Sequence, residues 1–201
     1  MDNFFFALHL LVAMAEVTAA AVKKFEDCQS SLSREHDGSV EDMEYAAPES
    51  DKGEACMIAL IRMCAKAFAQ GGDEKSGWFS DWKTYLQCTA EQVLFVRYRG
   101  NRFNTMFYLA QCVFYHRTRI IEFLKEIHGP TNLLLKGILH GMGNPVHISA
   151  CRVIGLLSKC VTSPFWKIVE HTVHILDMND HYLKLCMYMK DVHAPLFHVP
   201  K

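Results

Sequence analysis

The chain has 201 residues, half of them hydrophobic, with 21 basic and 22 acidic side chains and a formal net charge of −1. That is enough chain for one compact unit with a real core. The near-neutral balance excludes a protein drawn to nucleic acid by its overall charge, so any polyanion has to be met by a local basic patch.

Residues 1–27 read as an apolar N-terminal helix, with Phe4 to Ala15 as its hydrophobic run. Ala19, Ala20 and Ala21 follow it, which is also the outline of a secretory leader. Asp2, the lack of any Lys or Arg in the first three residues, and the interruptions at His9 and Glu16 favour a buried amphipathic helix instead. The run is shorter than the roughly 20 residues of a membrane span. Residues 28–53 are rich in Ser, Asp and Glu, with Gly38 and Pro48, and are expected to form an acidic, flexible linker.

A helical domain is expected over residues 54–192. Its first helix covers Glu54 to Gln70, burying Met57, Ile58, Leu60, Ile61, Cys64, Ala65 and Phe68, and stops at Gly71 and Gly72. A short aromatic helix carries Trp78, Phe79, Trp82, Tyr85 and Leu86. Val93 to Val96 is the one strand candidate, a β-branched and aromatic run. The longest helical pattern follows Gly100, with Asn101 placed to cap it and apolar residues from Met106 to Leu124 spaced by three, four and seven. Gly129 and Pro130 end it. Further helices are expected over Asn132 to Leu139, Val146 to Val161, Ser163 to Leu176 and Asp180 to Val192, with a loose tail at 193–201. The fold class is mainly α, a helical bundle with at most one or two short strands.

The eight cysteines, at 28, 56, 64, 88, 112, 151, 160 and 186, include no Cys-x-x-Cys pair and mostly sit in apolar helical patterns. There they act as small hydrophobes, which places the chain in a reducing compartment, nuclear or cytoplasmic. Among 11 histidines, the closest grouping is His171, His174 and His181 with Asp177 and Asp180. Its spacing matches no standard metal-ligand pattern, and capping or solvated histidines are the simpler reading. Cys112 and His116 lie one turn apart, as a nucleophile and its base would, but packing explains the pair equally well. Glu122 and Glu126, near Arg119 and Lys125, read as a solvated ion-pair face. No phosphate-binding loop or nucleophile motif is present, so the sequence offers no catalytic residue, no metal site, no cofactor and no small-molecule substrate.

What stands out is Arg97, Tyr98, Arg99, Arg102 and Phe103, a basic and aromatic cluster at the start of the longest helix. Guanidinium groups and helix-start amides both point at anions, and aromatic rings stack on bases, so this is a candidate DNA surface; Asn104 belongs to the same candidate set. Arg117 and Arg119 extend the cluster in sequence. The alternative is a turn solubilised by surface arginines.

Blocks along the chain, NFFFALHLLVAMAEV, CAKAFAQGGDEKSG, RGNRFNTMFY, CRVIGLLSKCVTSPFWKIVE and ILDMNDHY, resemble consecutive blocks of hAT-superfamily transposase-like proteins. The resemblance runs from about residue 2 to about residue 190. It implies part of a ribonuclease-H-like fold with its large helical insertion, in a family that cuts DNA with two Asp and one Glu around divalent metal. His9 matches the histidine of the family's Cys-x-x-His motif, with Phe6 at the cysteine position. Arg102 and Phe103 resemble its Arg-Trp pair, with a phenyl ring for the indole. The strands bearing the two catalytic aspartates are expected upstream of this chain, and the catalytic glutamate beyond it. The expected function is therefore that of a catalytically incomplete, transposase-derived protein retaining DNA contact. The alternative is a helical protein-interaction module that self-associates through exposed apolar faces.

Overall fold

In the computed structural model, which describes residues 3–36, 54–72, 78–99, 103–170 and 175–190, the expected mainly helical bundle is present, and no strand occurs among the described residues. The elements are α1 (Asn3–His36), α2 (Cys56–Phe68), α3 (Phe79–Cys88), α4 (Phe103–Glu122), α5 (Leu133–Gly143), α6 (Pro145–Leu157), α7 (Ser163–Glu170) and α8 (Ile175–Lys190). None of these helices is long and apolar enough, over the described residues, to cross a membrane.

α4 is the axis of the bundle. Met106, Phe107, Leu109, Ala110, Cys112, Val113, His116 and Ile120 are all buried, so the helix is covered on more than one side, and it packs on α1, α2, α5 and α6. α2 is apolar almost all round for the same reason, enclosed by α1, α4, α5 and α6. A helix whose polar face is reduced to Arg62 and Lys66 belongs in a core. α3 seals one end of the bundle with aromatic rings. Trp82 stands 4.9 Å from Phe68 and 5.5 Å from Phe123, ring centre to ring centre, within the range of favourable tilted and edge-on pairs.

The helix ends are set by local chemistry. The side chains of Asn132 and Asn144 accept from the amides of Leu135 and Val146, each at 2.9 Å, capping α5 and α6, and Pro145 occupies the first turn of α6, where its missing amide costs nothing. Gly71 and Gly129 both take φ +68 just past their helices, a left-handed turn that glycine makes without strain. These are the breaks the sequence predicts.

Three expectations are corrected. Val93 to Val96 is not a strand: residues 91–99 are extended, and beyond the Glu91 amide, which donates to the Leu86 carbonyl at 2.9 Å, they pair with no other backbone among the described residues. Phe95 is buried, and the Leu94 carbonyl instead accepts from the Tyr108 hydroxyl at 3.0 Å and the Cys112 thiol at 3.5 Å, both on α4. Side chains of a helix thus do the work of a neighbouring strand. Second, α1 does not end near residue 27 but runs through the first part of the expected linker to His36. The Ser30 and Ser31 hydroxyls donate back to the carbonyls of Glu26 and Asp27, each at 2.9 Å, which satisfies these turn-favouring side chains within the helix. The rest of that linker, 37–53, lies outside the described residues, as does the proposed cap Asn101. Third, the expected break between residues 161 and 163 is a wide π-helical turn, Ser158–Thr162, that joins α6 to α7, with the Ser163 amide donating to the Ser158 carbonyl. Pro164 gives the reason: a proline inside a helix has no amide to donate and crowds the preceding turn, and a widened turn relieves both.

Candidate nucleic-acid interface

Residues 91–99 run antiparallel along α4. At one end the Glu91 carboxylate accepts from the Arg119 guanidinium at 2.8 Å. In the middle Leu94 is held by Tyr108 and Cys112. At the other end Tyr98 is half-buried against the core, beside Met106. Arg97 and Arg99 flank Tyr98, and both are exposed. The strip therefore holds two guanidinium groups in solvent on a backbone anchored by the phenol between them. Burial and the neighbouring Glu54 carboxylate push the Tyr98 hydroxyl above its ordinary pKa, so it remains a neutral donor.

The structure divides the arginines that the sequence groups together. Arg119 is bound between Glu91 and Glu122, at 2.8 and 3.1 Å, which raises its already high pKa. Arg117 is half-buried with its Nε shielded from solvent. Both lie about 16–20 Å along α4 from Met106, at 1.5 Å per residue. Arg119 clasps the near end of the strip, and neither arginine reaches its far end. Arg102 lies outside the described residues, and Phe103 and Asn104 are described only as the first backbone turn of α4.

Two grooves lie along α1, the first of them reaching Tyr98 of the strip. The first, about 730 Å³, is lined by Tyr98, Met106, Glu54, Ala19, Lys23 and Lys24 among others. The second, about 1200 Å³, includes Lys23, Lys125, Lys136, His140 and His147 in its lining. Lys23 and Asp27 line both. Sequence reasoning missed this second groove, because its cations come from positions more than a hundred residues apart.

The Cys112 and His116 pair lies in the core. His116 is fully buried, with neither ring nitrogen hydrogen-bonded and its Nδ1 3.8 Å from Glu91, and desolvation holds its pKa below the usual value. Burial pushes the Cys112 thiol up to about 12, and its sulfur points at the Leu94 carbonyl. A protonated thiol beside a sealed imidazole is core packing. All eight cysteines are free, with Cys64, Cys112 and Cys151 buried and Cys28, Cys88 and Cys186 exposed. Of the histidine grouping, His171 and His174 lie outside the described residues. No cluster of His, Cys, Asp or Glu that could hold a metal ion occurs among the described residues.

No family model, curated protein or solved structure matches this chain.

Proposed function

We propose that this is a transposase-derived helical protein without catalytic activity, whose function is to bind DNA through the strip ending in Arg97 and Arg99. One observation carries the reading: two exposed arginines sit on either side of an anchored tyrosine, on an extended segment fixed to the central helix. Guanidinium groups bind phosphate oxygens in paired, charge-assisted hydrogen bonds, and a fixed backbone lowers the ordering cost of forming them. Arg102 and Phe103, next along the chain, would extend the contact, and Asn104 would open the helix behind it. The reading requires no cofactor. Contact with phosphates positions a protein without reading sequence, so the expected binding is non-specific, in the micromolar range at low salt.

The test is binding of a short fluorescent duplex and the matching single strand across a salt series, beside the Arg97→Ala/Arg99→Ala variant. The expected result is affinity that falls with salt, and a duplex slope reduced by about two in the variant, one per lost phosphate contact. Equal binding by both proteins, or none at about 50 mM salt, would remove DNA binding from this strip.

A second reading rests on a different surface. Phe114 on α4 and Val153 and Leu156 on α6 are 40%, 59% and 40% exposed, with the Arg152 guanidinium 5.8 Å from the centre of the Phe114 ring. An apolar patch of this kind suits a protein partner or a second copy of the chain. Under this reading Phe114→Ser abolishes self-association in sedimentation while DNA binding is unchanged.

A further inference from the structure

The groove of about 1200 Å³ between α1, α5 and the turn into α6 has a charge balance that is not evident from its lining. It contains two carboxylates, Glu26 and Asp27. Both oxygens of Glu26 are engaged by the amides of Cys56 and Met57, at 2.7 and 2.9 Å, and the side chain is buried. Asp27 is paired with Lys23 at 2.9 Å. Lys125, in the π-helical turn Phe123–Ile127 that follows α4, and Lys136, on α5, are left to face the groove with no carboxylate partner among the described residues. His140 and His147 stand on the same wall, and the Nδ1 of His147 is shielded from water with no hydrogen-bond partner. Carboxylates already committed and lysines not yet committed make an anion-accepting surface.

The groove shares Lys23 and Asp27 with the first one, whose further carboxylates are Glu16 and the Arg62-paired Glu54. Along α1 the path from Ala15 to Ser30 is about 22 Å at 1.5 Å per residue, on the order of six phosphates of one strand at 3.4 Å each. An open path of that length fits a polymer.

Resting on the DNA reading of the strip, we propose that the backbone of the same DNA continues from Arg97 and Arg99 along α1 into this groove, where Lys125 and Lys136 take its phosphates.

The experiment uses the full chain, a labelled duplex of about a dozen base pairs, and inorganic phosphate as competitor. It compares wild type, Lys125→Gln/Lys136→Gln, Lys125→Arg/Lys136→Arg and Arg97→Ala/Arg99→Ala, all checked for folding by circular dichroism. The expected result is a three- to tenfold loss of DNA affinity at about 100 mM salt for the glutamine pair, a salt slope reduced by about two, and recovery in the arginine pair. If the glutamine pair binds DNA like wild type while the strip variant loses binding, the groove inference is overturned and the strip reading stands. If the strip variant keeps binding and the glutamine pair loses it, the strip reading fails. The groove then binds DNA on its own, which overturns the continuous path. If the glutamine pair loses only competition by inorganic phosphate, the groove takes a small phosphate ester and the inference is likewise overturned.

Discussion

Glu26 shows how much of this fold rests on single residues acting over long range. α2 begins after Ala55, which has no side-chain acceptor to offer the first amides of the helix. The carboxylate that serves them comes from α1, 30 residues earlier in the chain, and it is buried while doing so. Negative charge at a helix start is favourable both through hydrogen bonds and through the aligned peptide dipoles. Glu26→Ala leaves two amides without acceptors beneath α1, and the expected cost is about 1–3 kcal/mol in urea unfolding. Glu26→Gln keeps one acceptor oxygen and is expected to fall between. A neutral alanine variant would show that water replaces the carboxylate. In the sequence, Glu26 is indistinguishable from the polar end of an amphipathic helix. The sequence gives no hint of it: the helix is expected from Glu54, after Gly53, and only its observed start at Cys56 leaves Ala55, without a side-chain acceptor, at the cap.

At the level of elements, α4 and α6 approach so closely that a side chain on Gly155 would meet the Gln111 Cα at 3.0 Å. Two effects oppose each other at this position. Alanine favours a helix over glycine by up to about 1 kcal/mol, but the neighbouring atom is backbone and cannot rotate away, and overpacking costs about 1–3 kcal/mol. The clash wins, so Gly155→Ala lowers the urea midpoint. Gly143→Ala, at the end of α5 with open space around it, is expected to raise the midpoint slightly, and opposite signs in the two variants are the check. The helices themselves were legible because their apolar spacing and their capping Asn, Pro and Gly residues are local signals. The strip at 91–99 was not. Its β-branched and aromatic residues describe a chain that is extended and half-buried, and a strand and a segment clasped to α4 share that pattern. Only the long-range contacts of Leu94 and Glu91 tell them apart. The arginines were separated by the helix itself: Arg99 precedes α4 and Arg119 lies in its last turn, so the length of α4 lies between them.

For the molecule as a whole, the distribution of histidines makes stability depend on pH in a definite direction. His116 is sealed among the rings of Trp82, Phe95 and Tyr115, and desolvation lowers its pKa. Glu91 acts against this, but Glu91 already faces Arg119. His147 is shifted the same way by burial and by His140, with Glu26 opposing. Both rings are therefore neutral in the fold at a pH where an unfolded histidine, with a pKa near 6.5, begins to take up protons. The unfolded chain then binds more protons than the folded one, so stability is fully present above about pH 6.5 and is lost as pH falls. Each ring contributes a slope of at most about 1.4 kcal/mol per pH unit. Urea unfolding at intervals from pH 7.5 to 5, above the range where carboxylates titrate, measures that slope. His116→Leu removes one proton site and fills the same apolar space, so the slope is expected to be shallower in that variant, with the His147 part remaining. A wild-type midpoint that stays level from pH 7.5 to 5 would show that water reaches the buried imidazole and that the aromatic end of the bundle opens more readily than its packing implies.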